Sequence, residues 1–381
     1  MRGVINFLSQ YAAGLAASLL FPGYPTSELN AAFMYREAIV PLTIDAEIKI
    51  LNITEPKDQY ELTGLFSNFY NVSQSAVVGA QNITTTYDIA TFLYVPNSFQ
   101  QNGTVELLLH GLDADHRYWD FGGRGSKYNY VDAALASGHA VLLYDRLGVG
   151  KSAKPSGLEV QLATDVAVAA GLVDHLRKGV SGYSFGSVVA VAHSFGSSTL
   201  NNLLAQKGDL VDAAIITGFT PFLAGMGFAP YGLNPQVASL FDPKSFGSLD
   251  HYYVISGNKW TDMMAFFSYT GFEKDVFEAY FAGRGTETLG ELLTLAVTEA
   301  PAYTGPILII NPDHDLTFCN GNCHQPLNGK KDLNEATLEL FPNRRRGDTH
   351  MVGNTGHIMN MHLSAPGGYE VMQKWIAEVL A

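Results

Sequence analysis

From Val105 onward, short apolar runs alternate with longer stretches in which apolar positions recur at helical spacing. Val105–Leu109, Ala140–Tyr144, Val188–Ala192, Ala213–Thr217, Ile307–Ile310 and Thr337–Phe341 read as strands. Their continuous apolarity, in place of strict alternation, predicts strands covered on both faces. The stretches 128–137, 160–178, 197–207 and 367–380 read as helices. Strand–helix alternation of this kind predicts a mostly parallel sheet with crossover helices on both faces. Upstream, 38–54 partly alternates as an edge strand does. Residues 55–80 are mixed, with Tyr60, Phe66, Phe69 and Tyr70, and Tyr87–Val95 is a further strand ended by Pro96-Asn97.

One gap breaks the rhythm. The stretch from Thr217 to Pro306 is too long for a single crossover and is rich in Phe219, Trp260, Met263, Phe266, Phe277, Tyr280 and similar residues. It predicts a mostly helical cap over the C-terminal edge of the sheet. The expected division is therefore a core made of 21–217 and 301–381, a cap over 218–300, and a separate segment 1–20.

Composition narrows the class. With 381 residues, 47% of them apolar, the chain can bury a large core. The net charge of −13, with no basic run longer than Arg344-Arg345-Arg346, speaks against nucleic acid as a partner and leaves a small-molecule substrate. No later segment is apolar for long enough to span a membrane. The two cysteines, Cys319 and Cys323, flank an Asn-Gly turn that suits a small disulfide loop; two sulfurs alone make a poor metal site, so neither metal nor cofactor is expected. Sequons at Asn52, Asn71, Asn82 and Asn102 crowd the N-terminal third, and Arg2 precedes a mostly apolar stretch to Phe21 that resembles a secretory signal. Disulfide, sequons and leader together predict secretion.

The chemistry centres on Ser194. It follows an apolar strand and precedes a helix, in the pattern small-x-Ser-x-Gly with Ala192 and Gly196 as the small residues. A serine at such a bend projects its hydroxyl from the sheet, at a helix N-terminus. Gly182-Tyr-Ser184-Phe-Gly186 matches G-x-S-x-G more literally, but no buried strand precedes Ser184 and a strand, not a helix, follows it. A serine nucleophile needs a base and an orienting acid, which should follow it at strand ends in the order acid, then histidine. Asp315 lies just past Ile307–Ile310, with Asp313 the near alternative. His357, after Gly356, is the base candidate, with His350 and His362 as rivals. Oxyanion donors are the backbone N–H of Phe195 and, after Val105–Leu109, that of Leu112. His110, Gly111, His193 and Trp260 are candidates for contacting substrate. Gly148-Val-Gly150 lacks the spacing of a phosphate loop and reads as a structural turn.

Leu108-Leu-His-Gly-Leu, Tyr144-Asp-Arg-Leu-Gly-Val-Gly-Lys-Ser, Ala192-His-Ser-Phe-Gly-Ser, Asp313-His-Asp and Thr355-Gly-His-Ile together resemble the α/β-hydrolase superfamily over residues 85–381, and more narrowly secreted fungal members of unassigned substrate. The resemblance implies an eight-stranded, mostly parallel sheet, a Ser194–His357–Asp315 triad and oxyanion amides at Phe195 and Leu112. Ala192 and Pro312 depart from the commoner glycines. A serine at the bend argues against the aspartate-dependent epoxide hydrolases and dehalogenases. The leading expectation is hydrolysis of an ester, lactone or related acyl bond. The alternatives are lyase or cyclising chemistry on the same triad, with Lys244, Lys259 or Lys274 over the serine, and an aminopeptidase that would need a cap carboxylate, from among Asp250, Asp262, Glu273, Asp275, Glu278, Glu287 and Glu291, to hold a substrate amine.

Overall fold

The computed structural model describes residues 33–381 apart from Leu223, Gly225, Met226 and Phe228. The segment 1–20, expected to be a signal or N-terminal helix, lies outside the described residues.

The chain opens with two long strands, β1 (Phe33–Leu51) and β2 (Val77–Pro96), paired antiparallel and joined through α1 (Gln59–Ser67) and α2 (Phe69–Ser75). Then come β3 (Gly103–Leu109), α3 (Tyr130–Ala136), β4 (Ala140–Tyr144), α4 (Leu162–Arg177), β5 (Phe185–His193), α5 (Phe195–Gln206) and β6 (Ala213–Thr217). An insertion follows, with α6 (Ala229–Leu233), β7 (Pro235–Val237), α7 (Ala238–Phe241), α8 (Pro243–Phe246), β8 (Tyr253–Ser256), α9 (Lys259–Phe266), α10 (Lys274–Ala282), β9 (Glu287–Thr288) and α11 (Leu289–Thr294). The chain closes with β10 (Pro306–Pro312), α12 (Leu316–Cys319), α13 (Leu333–Leu338), β11 (Arg346–Val352) and α14 (Ala365–Leu380).

Eight strands form one sheet in the order β1-β2-β4-β3-β5-β6-β10-β11. Only β2 runs against the others. Period-two geometry sends successive side chains to opposite faces. Val188, Ala190, Ala192, Ile307 and Ile309 pack with α4 and α5, while Val189, Val191, Leu308 and Ile310 pack with α3 and α14. That is why the strands read as unbroken apolar runs. β3, β5, β6 and β10 all point the same way and end at one edge, which places Leu112, Ser194 and Asp315 together there.

Two expectations about elements are corrected. Thr337–Phe341 is not a strand. Asp332 caps a helix by accepting from Glu335 N, the helix runs through Leu338, and its last apolar residues face the core. The last strand is instead Arg346–Val352, whose residues before Val352 are exposed or half-buried. It pairs with β10 alone, so the polar sequence of a sheet edge hid it. The insertion, expected to be mostly helical, also holds a three-stranded antiparallel sheet, β7-β8-β9, whose strands are too short to show alternation. From the other side α1 packs against this sheet: Leu62 buries against Val237, Val254 and Leu289. The Gln59 side chain donates to Pro235 O and accepts from Val237 N. The insertion is thereby held between the N-terminal arm and the core.

Candidate active site

Ser194 sits between β5 and α5 with φ +56° and ψ −121°, a conformation costly for a residue with a Cβ. Its N–H donates to Thr217 O (3.0 Å) and its carbonyl accepts from Ser198 N (3.0 Å), which fixes the bend at both ends. The bend needs room. A Cβ on Gly196 would lie 2.4 Å from Leu109 O, and one on Gly111 would lie 2.9 Å from Ser194 Cβ.

Asp315 follows β10 and caps α12, its Oδ1 accepting from Phe318 N (2.8 Å). Its Oδ2 lies 2.7 Å from His357 Nδ1, and His357 Nε2 lies 2.8 Å from Ser194 Oγ. A carboxylate only accepts, so Nδ1 carries the ring hydrogen and Nε2 offers its lone pair to the serine hydroxyl. The structure thus brings Ser194, His357 and Asp315 into one hydrogen-bonded chain. Rings pack around His357: His193 at 4.9 Å, Phe266 at 5.7 Å and Phe318 at 5.8 Å between centroids.

Asp313 does a different job. Its oxygens accept from Asn354 N (2.9 Å) and Thr355 N (3.0 Å), tying the loop before His357 to the end of β10. Burial alone would raise its pKa; the two amides and His314 outweigh burial and hold the carboxyl below its usual range. His362 stays neutral and structural. Its Nε2 accepts from Ser268 N and Gly356 N, and burial pushes its pKa down to about 4. His350 lies on β11, where its carbonyl accepts from Asn334. Ser184 is exposed in the turn before β5, bonded to Gln101 and Asn102; the nine residues of β5 put it about 30 Å from Ser194.

The hydroxyl of Ser194 opens on a narrow cavity of about 50 Å³. Gly111, Leu112, His193 and Phe195 line it, as do Asp113, Tyr118, Leu233, Phe266, Tyr280 and Phe318. Two substrate-contact expectations do not hold. His110 is wholly buried beneath the cavity. Its Nδ1–H donates to Gly111 O, its Nε2 accepts from Arg146 N, and burial with the Arg146 charge lowers its pKa to about 3. Trp260 is 56% exposed on the outer side of α9, with Lys259 Nζ 4.6 Å from its ring centroid. Phe266, on the opposite side of the same helix, lines the cavity instead. His193 does line it: Nδ1–H donates to Thr217 Oγ1 (2.9 Å), and the ring stacks on Tyr118 at 4.6 Å.

Sequence reasoning missed Asp113, Tyr118 and Tyr280. Asp113 follows the expected oxyanion residue and takes φ +54°, but nothing in the local sequence marks a buried carboxyl there. Among the described residues, Asp115, His116 and Asp145 have ligand atoms within 4.8 Å of one another, spacing that suits a metal ion. Their lone pairs are engaged, however. Asp115 receives Arg117 Nε on Oδ1 and Arg117 Nη2 on Oδ2, and Asp145 receives His116 and Lys151 N. The Gly148–Gly150 loop wraps that carboxylate so closely that a Cβ on Gly150 would meet it at 2.1 Å. Cys319 and Cys323 form a disulfide directly behind Asp315.

Residues 107–370, more than half of the chain, match the alpha/beta hydrolase family, and the protein belongs to it. No curated protein sequence matches the chain. Among solved structures, it is similar to a thermophilic esterase from Thermogutta terrifontis in its malate-bound form, with a TM-score of 0.52, 13% identity, and 89% of this chain and 99% of that one covered. A bromoperoxidase from Bacillus anthracis gives a TM-score of 0.50 and 18% identity, covering 78% of this chain and 95% of that one. At these identities the likeness speaks to the fold.

Proposed function

We propose that the protein is a serine hydrolase that cleaves an ester, lactone or related acyl bond through an acyl-enzyme. The carrying observation is the Ser194–His357–Asp315 chain at the mouth of an apolar cavity. His357 Nε2 takes the Ser194 hydroxyl proton as Oγ attacks the carbonyl carbon, and Asp315 stabilises the imidazolium that forms. The oxyanion is met by Phe195 N–H, which as the first helical amide of α5 has no intrahelical acceptor, and by Leu112 N–H across the cavity. His357 then protonates the leaving oxygen, and the ester C–O bond breaks. Water, deprotonated by the same imidazole, releases the acid and returns the proton to Ser194.

Fluorophosphonate labelling and p-nitrophenyl ester turnover test this reading. Both should occur in the native protein and vanish in Ser194→Ala. A native protein that neither labels nor turns over esters would refute it. The lyase alternative gains no support from a cap lysine: Lys259 pairs with Glu278 on the outer surface, and neither Lys244 nor Lys274 lines the cavity.

Export as a glycoprotein belongs to the same proposal. It is supported by the disulfide and by the solvent exposure of Asn52, Asn71, Asn82 and Asn102.

A further inference from the structure

We infer that the preferred substrates are esters of short acyl groups, of up to about four carbons, and that Leu233 and Phe266 of the insertion set this limit by closing the inner end of the Ser194 cavity. This rests on the serine-hydrolase reading above.

The cavity is small. It holds about 50 Å³, and its lining is mostly apolar. A single water-sized group takes about 10–15 Å³ of such space, so about three to five non-hydrogen atoms fill it. That is the range from an acetyl to a butanoyl group. A fatty acyl chain or a bulky aromatic acid has no room beside the serine.

Among the described residues, the lining falls into two unlike parts. Tyr118, Leu233, Phe266, Tyr280 and Ile358 pack in one core cluster, and none is more than 6% exposed. Leu112, Leu292 and Leu295 lie outside that cluster and are only half-buried, so they mark the side that reaches solvent. An acyl-enzyme mechanism assigns the two parts. The alcohol must depart before water attacks, whereas the acyl group stays bonded to Ser194 Oγ through both steps. The alcohol therefore lies toward Leu112, Leu292 and Leu295, where it can leave. The acyl group takes the closed end.

The closed end is also firm. Helices α6 and α9 approach so closely that a Cβ on Gly232 would lie 2.3 Å from Ala265 Cβ. The next residue of each helix, Leu233 and Phe266, lines the cavity. Both are pinned through their backbones: Leu233 O accepts from Gly257 N and Ser256 Oγ, each at 3.0 Å, and Phe266 O accepts from Ile358 N at 3.1 Å. Behind them Tyr280 packs on Phe267 at 5.3 Å between ring centroids, and Tyr118 packs on Trp119 at 4.9 Å and on His193 at 4.6 Å. A close-packed wall of this kind yields little to surplus methylenes. A longer acyl chain would have to part α9 from the loop that carries His357.

The test measures kcat/KM on p-nitrophenyl acetate, butanoate, hexanoate and octanoate, each below the concentration at which it aggregates. A second series keeps the acetyl group and varies the alcohol among p-nitrophenol, 4-methylumbelliferone and 1-naphthol, each corrected for uncatalysed hydrolysis. The native protein should favour acetate or butanoate and be at least about a hundredfold slower on octanoate, since a pocket rejects each surplus methylene by about tenfold or more. The three acetates should agree within about tenfold. Leu233→Ala and Phe266→Ala lengthen the closed end, so the ratio of octanoate to butanoate should rise at least about tenfold in one or both. That ratio does not depend on how much of a variant folds. Native turnover of octanoate on a par with butanoate overturns the inference, as does a ratio unmoved by both substitutions, or an acetate series that spreads more widely than the acyl series. Fluorophosphonate labelling of Ser194 without turnover of acetate or butanoate also overturns it, leaving the serine reading intact. Absence of both labelling and turnover defeats the serine reading itself.

Discussion

At the scale of single residues, the site depends on two aspartates with opposite duties two positions apart. Asp315 faces His357 Nδ1, whereas Asp313 accepts from the amides of Asn354 and Thr355 and never meets the imidazole. Asparagine at Asp315 would present an N–H or a neutral oxygen to Nδ1 and lose both the tautomer control and the imidazolium partner. We predict that Asp315→Asn lowers kcat by about 10³–10⁴. Asp313→Asn keeps one acceptor for the loop amides. It should cost about 1 kcal/mol of stability and leave kcat within about tenfold of native. Steady-state kinetics on a p-nitrophenyl ester with thermal melts of both variants checks this. Equal kinetic losses would mean that the acid has been wrongly assigned. Gly196 offers a second check. A methyl there would press on Leu109 O at 2.4 Å, so Gly196→Ala should lower the melting temperature and the labelling rate of Ser194 together.

At the scale of elements, the short segment from β10 to α13 delivers the acid and is stapled by its own disulfide. Cys319 ends α12, Cys323 N donates to Asp313 O (3.0 Å), and Gly321 N donates to Asp315 O (2.8 Å). Both cysteines are buried. For so small a loop, the chain-entropy model gives about 2 kcal/mol of stabilisation. The double substitution Cys319→Ala, Cys323→Ala should therefore destabilise the protein by about that amount. It should also lower kcat more than it raises KM, because the loop it loosens carries Asp315 and, of the cavity wall, only Thr317 and Phe318. Differential scanning calorimetry with kinetics on one ester measures both, and an unchanged kcat would show that the staple does not position the acid.

This segment also shows what the sequence could reveal. The strand ends carrying Ser194, Leu112 and Asp315 were legible because buried strands announce themselves as apolar runs, and the residue just past each run falls on one edge. The apolar run at Thr337–Phe341 misled for the same reason: a helix burying its last turn looks the same over five residues. Strand β11 was silent because an edge strand needs few apolar positions. His110 and Trp260 were misplaced because type and position in the chain do not tell which way a ring turns. Asp262 and Glu287 stood out only as two of several cap carboxylates, and their meeting with Asp113 was out of reach, since the three come together only when α9 and β9 of the insertion close over the loop after β3.

At the scale of the whole molecule, that closure makes stability depend on pH. The insertion docks on the core through Thr288 Oγ1 to Val160 O (2.9 Å), Gly290 N to Gly157 O (3.1 Å) and the buried pair Arg146–Glu291. Docking also encloses Asp113, Asp262 and Glu287, which keep protons in the folded state well above the pH at which they lose them in the unfolded chain. Between about pH 4 and the folded values of about 7 and 8, the folded protein then binds more protons than the unfolded one, and stability falls as pH rises. The buried histidines act in the other direction. His110, His193 and His362 are held neutral when folded, so they lose stability as pH drops below about 6.5, where the unfolded rings take up protons. The two effects oppose each other on the acid side; above about pH 6.5 only the carboxyls remain, each contributing at most about 1.4 kcal/mol per pH unit. The melting temperature should accordingly fall between about pH 6.5 and 8.5, and Glu287→Gln, which removes one of the titrating groups, should make that fall shallower. Thermal melts followed by circular dichroism across this range decide the matter. A melting temperature that stays level in the native protein, or a Glu287→Gln variant with the native slope, would mean that the three carboxyls are not held protonated against one another under the cap.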